Sequence, residues 1–167
     1  SGAQLTIGGT GASFDQNAGS LTVNGALPMS GATFTYNGGS VSGLVLRAAS
    51  LNLVNSPSVA DTYTFIGGGN TLVGDVPSGH TILLRDDTVQ GPVNLTSSAG
   101  FTNHGTIQMQ NPIGFSVTLS VGSNTLTNAS DGAINVNGGS SGQLIINDNL
   151  ANSGAVSADE IAANQLQ

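Results

Sequence analysis

Phe101-Thr-Asn-His-Gly-Thr-Ile107, Leu126-Thr-Asn-Ala-Ser-Asp-Gly-Ala-Ile134 and Leu150-Ala-Asn-Ser-Gly-Ala-Val156 read as three copies of one phrase. An apolar residue, a small residue and an asparagine recur after 25 and then 24 residues, each followed by a glycine and a new strand near Ile107, Ile134 or Val156. A hairpin protein need not repeat at a fixed long period, whereas a solenoid must.

Outward from these phrases, short alternating segments fill the chain, among them Leu21-Thr-Val23, Phe34-Thr-Tyr36, Tyr63-Thr-Phe65, Ile82-Leu-Leu84 and Val117-Thr-Leu119. Each reads as a strand of three to five residues with one apolar face. Between them Asn37-Gly38-Gly39, Gly67-Gly68-Gly69 and Asp131-Gly132 supply residues that tolerate positive φ and turn the chain. A looser repeat in the middle matches Phe34 and Tyr36 to Tyr63 and Phe65 at an offset of 29, then Leu51 to Ile82 at 31. The spacing predicts an all-β, right-handed parallel β-helix with about three short strands per coil of 24–31 residues. Inward residues then stack on their counterparts one coil away, and Asn103, Asn128 and Asn152 fall in register as a structural ladder of side-chain amides.

Residues 1–167 are read as one domain, excised from a longer protein whose export signal and flanking domains lie elsewhere. Ser157-Ala-Asp-Glu160 fits a capping box, so residues 158–167 are expected to form a C-terminal cap, as a short helix or a further strand. Charged residues make up only 7% of the chain, so glycine, serine, threonine and asparagine must make its exterior polar. Arg47 and Arg85 are the only Lys or Arg residues against a formal charge of −7, which leaves no basic footprint for nucleic acid. Cysteine is absent, excluding disulfides and thiolate chemistry, and no apolar run is long enough for insertion into a membrane.

The phrases Phe34-Thr-Tyr-Asn-Gly-Gly-Ser-Val-Ser-Gly43, Phe101 to Ile107 and Leu126 to Ile134 resemble the repeats of bacterial extracellular right-handed β-helix proteins. These are filamentous haemagglutinin-like and autotransporter-like adhesins, and β-helix carbohydrate-binding modules of polysaccharide-degrading systems. The resemblance implies a secreted or cell-surface location and a glycan or cell surface as partner. It follows from coil geometry, and therefore speaks to fold more than to function.

Pectin-active enzymes share this fold, so a pair of working carboxyl groups must be sought. Arg85-Asp86-Asp87 superficially resembles the adjacent aspartates of polygalacturonases. Those enzymes add Asn-x-Asp, Gly-His-Gly and Arg-x-Lys, whereas here His80 sits in Ser-Gly-His-Thr and lysine is absent. Asp86 and Asp87 are read first as polar turn residues, second as a metal site for calcium, and last as catalytic. The Gly-Gly-x-Gly-x-Asp signature of calcium-folded β-rolls is missing.

Sugar binding commonly uses an aromatic face with convergent polar groups. Tyr36 and Tyr63 would form such a strip if they point outward, and would join the core if they point inward. Thr33, Thr35, Thr62 and Thr64 are the candidate outward hydroxyl array. The sequence thus leads to a non-catalytic, secreted glycan-binding or adhesive module, with two alternatives: a stalk or spacer of a large surface protein, and a polysaccharide-degrading enzyme of the pectin-active type.

Overall fold

The computed structural model describes residues 5–29, 31–54, 59–139 and 141–159. Seven coils follow one another. The first holds β1 (Ser13–Gln16) and β2 (Ser20–Pro28), the second β3 (Thr33–Tyr36) and β4 (Ser40–Arg47), the third β5 (Ser50–Asn52) and β6 (Thr62–Ile66), the fourth β7 (Asn70–Val73) and β8 (Thr81–Arg85). From the fifth coil a third strand enters: β9 (Val93–Thr96), β10 (Phe101–Asn103) and β11 (Thr106–Gln110). The sixth has β12 (Val117–Ser120), β13 (Thr125–Asn128) and β14 (Ala133–Asn137), and the seventh β15 (Leu144–Ile146), β16 (Asn149–Asn152) and β17 (Ala155–Ala158).

Stacked coils make three sheets whose ladders are parallel. Sheet A runs β1-β3-β5-β7-β9-β12-β15, sheet B runs β2-β4-β6-β8-β11-β14-β17, and sheet C is β10-β13-β16. The molecule is therefore the right-handed parallel β-helix expected from the repeats, with three strands in each complete coil.

The N-terminal coils differ in length from the expectation. Ser13 stands opposite Thr33, Thr33 opposite Ser50, and Ser50 opposite Thr71, so these coils take 20, 17 and 21 residues. They are shorter because sheet C has no strand there; in the fourth coil that face is crossed by Val76 alone, which bridges to Asn103. Phe34 pairs with Leu51 on sheet A, and Tyr63 pairs with Ile82 on sheet B. The two aromatic pairs look alike because each is an inward pair of an alternating strand, on different faces, and their offset of 29 is not a coil.

Alternation fills the core. On sheet B, Leu27, Leu46, Phe65, Leu84, Met109 and Val136 stand one above the next, and all are buried. At roughly 25 cal/mol per Å² of apolar surface, such a column stabilises every coil through its neighbours. In the seventh coil Leu150 and Val156 occupy inward register positions beside the fully buried Leu126 and Ile134, yet are 40% and 48% exposed. β17 extends through Ser157 and Ala158, and the Asp159 amide still donates to Val136 O at 3.0 Å. The remainder of the expected cap, 160–167, lies outside the described residues.

Candidate ligand-binding faces

Tyr36 and Tyr63 are fully buried, so they form no outward aromatic strip. Tyr36 Oη donates to the Gly39 carbonyl at 2.8 Å, and Tyr63 Oη lies 3.0 Å from Nδ1 of the buried His80. The Tyr63 and His80 rings stack, with Tyr36 edge-on to both. Burial pushes both phenols above their ordinary range, with the nearby Asp61 charge adding to the effect. These tyrosines are core groups with satisfied hydroxyls, as buried phenols require.

The four threonines divide between two faces. Thr33 and Thr35 lie on β3 of sheet A, while Thr62 and Thr64 lie on β6 of sheet B. On sheet B the hydroxyl column is Thr62, Thr81 and Thr106, after which Ala133 and Ala155 follow; Thr64 sits between Val45 and Leu83.

Sheet A carries the longer array. Ser13, Thr33, Ser50, Thr71, Thr96 and Ser120 pair in unbroken succession across six strands. All six face away from the core and are exposed or half-buried. With strands about 4.8 Å apart, the row runs roughly 24 Å along the solenoid axis. Thr96 Oγ1 donates to the Asn70 carbonyl at 3.2 Å, while Ser120 Oγ donates to the Asn147 carbonyl at 3.4 Å and accepts from the Gly122 amide at 3.3 Å, so each hydroxyl oxygen keeps a lone pair for a ligand. Beside Thr71, Thr96 and Ser120 opens a groove of about 480 Å³, completed by Val73, Ser98 and Ser123.

Asp86 and Asp87 serve separate local structures. Asp86 is buried; its Oδ1 accepts from the Ile113 amide at 3.2 Å and its Oδ2 from the Phe115 amide at 2.8 Å, tying the 111–116 loop to the coil below. Asp87 Oδ1 accepts from the Val89 and Gln90 amides at 2.8 and 2.9 Å. Those amide bonds hold the Asp87 carboxyl below the usual range, and the Arg85 charge helps. Among the described residues no group of three or more His, Asp or Glu side chains converges as a metal site.

The asparagine ladder is formed. Asn103 Nδ2 donates to Asn128 Oδ1 and Asn128 Nδ2 to Asn152 Oδ1, each at 2.8 Å. Two further asparagines, Asn70 and Asn111, are fully buried and carry no repeat signal in the sequence. Asn70 accepts from the Ala49 amide and donates to the Gly67 carbonyl at 2.8 Å, and Asn111 donates to the Ser141 carbonyl. Only their place at corners of the stack distinguishes them from outward asparagines.

No protein-family model matches the chain, and neither does any curated protein or solved structure. Its fold is that of the broad class of parallel β-helix proteins. Among the described residues no helix is long and apolar enough to cross a membrane.

Proposed function

We propose that this chain is a non-catalytic module of a secreted or cell-surface protein, which binds extended glycan polymers through the outward face of sheet A. The observation that carries the reading is the unbroken row from Ser13 to Ser120. Evenly spaced hydroxyls on a rigid sheet offer donors and acceptors at a repeat comparable to that of sugars along an extended polymer. Affinity is spread over several coils, is modest at each, and is insensitive to salt because no charge lies in the row. The non-catalytic reading is supported by Asp86, both of whose oxygens accept from the Ile113 and Phe115 amides, and by Asp87, whose Oδ1 accepts from the Val89 and Gln90 amides, so both carboxylates serve local backbone structure.

Pull-down on a panel of insoluble polysaccharides tests this. The parent protein should be retained by at least one polymer, and Thr71→Val/Thr96→Val, which keeps shape and removes two central hydroxyls, should lose most of that retention. Absence of retention across the panel contradicts the reading. It would favour a spacer instead, a role supported by Leu150 and Val156 standing open for a further coil-like surface.

A further inference from the structure

The groove beside the sheet A hydroxyl row is lined by Thr71, Thr96 and Ser120, which stand opposite one another on adjacent strands. Two residues beyond them on each coil are Val73, Ser98 and Gly122, which line the same groove. Val73 is 45% exposed, so an apolar side chain stands open to solvent among serine and threonine hydroxyls. A Cβ placed at Gly122 would meet nothing within 4 Å, so the missing side chain widens the groove there.

Ser97 also lines this groove, together with the buried Leu72 and Val121 of the neighbouring coils, and is itself only 5% exposed. Among the described residues its hydroxyl has no hydrogen-bond partner. A hydroxyl so enclosed carries a desolvation cost that a polar group of a ligand would remove. No side chain that lines the groove is charged and none is aromatic. The formal charge of the chain is −7, which disfavours an anionic ligand.

We infer that this groove takes the acetamido group of a neutral amino-sugar polymer, a chain of N-acetylhexosamine units. The inference rests on glycan binding along sheet A and names the sugar. An acetamido group asks at once for apolar contact at its methyl, an acceptor for its N–H and a donor for its carbonyl. Val73 offers the apolar contact, Thr96 and Ser98 offer hydroxyl oxygens as acceptors, and the unpartnered Ser97 hydroxyl is the donor. A plain hexose sets a hydroxyl against Val73 in place of the methyl, and a buried hydroxyl against an apolar surface is unfavourable. A deacetylated amino sugar brings an ammonium group to a groove that holds no carboxylate.

Isothermal titration of the whole chain with β-1,4-linked tetrasaccharides of N-acetylglucosamine, glucosamine and glucose, which differ only in the group at one carbon, tests the assignment. The N-acetylated oligomer should bind about tenfold or more tightly than the glucose oligomer, with little change as salt rises. Val73→Ser should remove most of that preference. Ser97→Ala should weaken the N-acetylated oligomer about fivefold or more without lowering the melting midpoint, because the hydroxyl it deletes has no partner in the protein. Pull-down on chitin and on peptidoglycan separates two polymers that carry the unit: retention by either supports the assignment, and retention by neither contradicts it. Equal affinity for the N-acetylated and glucose oligomers would overturn the choice of sugar and leave glycan binding on sheet A standing. An undiminished preference in Val73→Ser, or unchanged binding in Ser97→Ala, would overturn it as well. Failure of every oligomer and every polysaccharide to bind would remove both readings together.

Discussion

Asn103 donates from Nδ2 to Oδ1 of Asn128 at 2.8 Å, across 25 residues of chain but a single strand spacing. The same amide also reaches the Ala133 carbonyl, and Asn128 repeats the arrangement with Asn152 and the Ala155 carbonyl. The ladder ends downward at Val76, an apolar residue, and Asn103 Oδ1 is correspondingly buried without a hydrogen-bond partner.

Asn128→Ala should therefore lower stability by about 1–3 kcal/mol, because it removes the partner of the buried Asn103 amide and the hydrogen bonds of the buried Asn128 itself. Asn135→Ala, on the outward face of β14 where Asn135 accepts from Ser157 Oγ, should change it by less than about 0.5 kcal/mol. Thermal melts of the two variants check the difference; equal midpoints would remove the ladder from the stabilising interactions.

Leu126→Ala should cost about 2–5 kcal/mol, as expected for a fully buried leucine between stacked coils. Leu150→Ala should cost clearly less, since Leu150 is 40% exposed and covered on one side only. Denaturant unfolding of both variants gives the comparison.

Asp61 and Asp148 give the protein a pH dependence. Desolvation raises both carboxyl groups above 3.8, against amide hydrogen bonds from Thr62 and Val41 to Asp61 and from Val121 to Asp148. Asp148 Oδ2 is buried with no hydrogen-bond partner. A raised carboxyl favours the protonated fold, so its contribution is full below 3.8 and is lost as pH rises through the folded value. Asp87 and Asp131 are lowered and act oppositely, Asp131 through its hydrogen bond with His104, but both are solvent-screened. Melting midpoints taken at rising pH should show the parent losing ground relative to Asp148→Asn. A constant difference between the two would contradict this.

Asp86→Ala should release the 111–116 loop without unfolding the coil stack. Amide hydrogen exchange at Ile113 and Phe115 should accelerate by about tenfold or more, as expected on losing bonds to a charged acceptor. Exchange in β8 and β11 should change little.

The C-terminal coils are legible in the sequence because Phe101, Leu126 and Leu150 recur almost evenly. Gly132 and Gly154 explain why the phrase keeps its glycine. A Cβ at Gly132 would lie 2.2 Å from the Asn103 carbonyl oxygen, and one at Gly154 the same distance from that of Ala129. The hydroxyl row was hidden for the opposite reason. Its members are separated by 20, 17, 21, 25 and 24 residues, so Thr33 and Ser50 become neighbours only once each coil length is known. Arg47 and Arg85 likewise look unrelated along the chain, since the one intervening coil must be counted before they share a row. Burial of Tyr36 and Tyr63 turned on strand parity, which alternation alone leaves ambiguous where both faces carry residues of high β-propensity.

The coil register that aligns the sheet A hydroxyls can be measured directly, because the chain contains no cysteine to interfere. Thr71 and Thr96 stand opposite each other on adjacent strands, within the separation a disulfide spans, whereas Thr62 lies on another sheet. Oxidation of Thr71→Cys/Thr96→Cys should give an intramolecular cross-link, and Thr62→Cys/Thr71→Cys should not. Cross-linking of the second pair in preference to the first would contradict the register, and with it the row on which glycan binding rests.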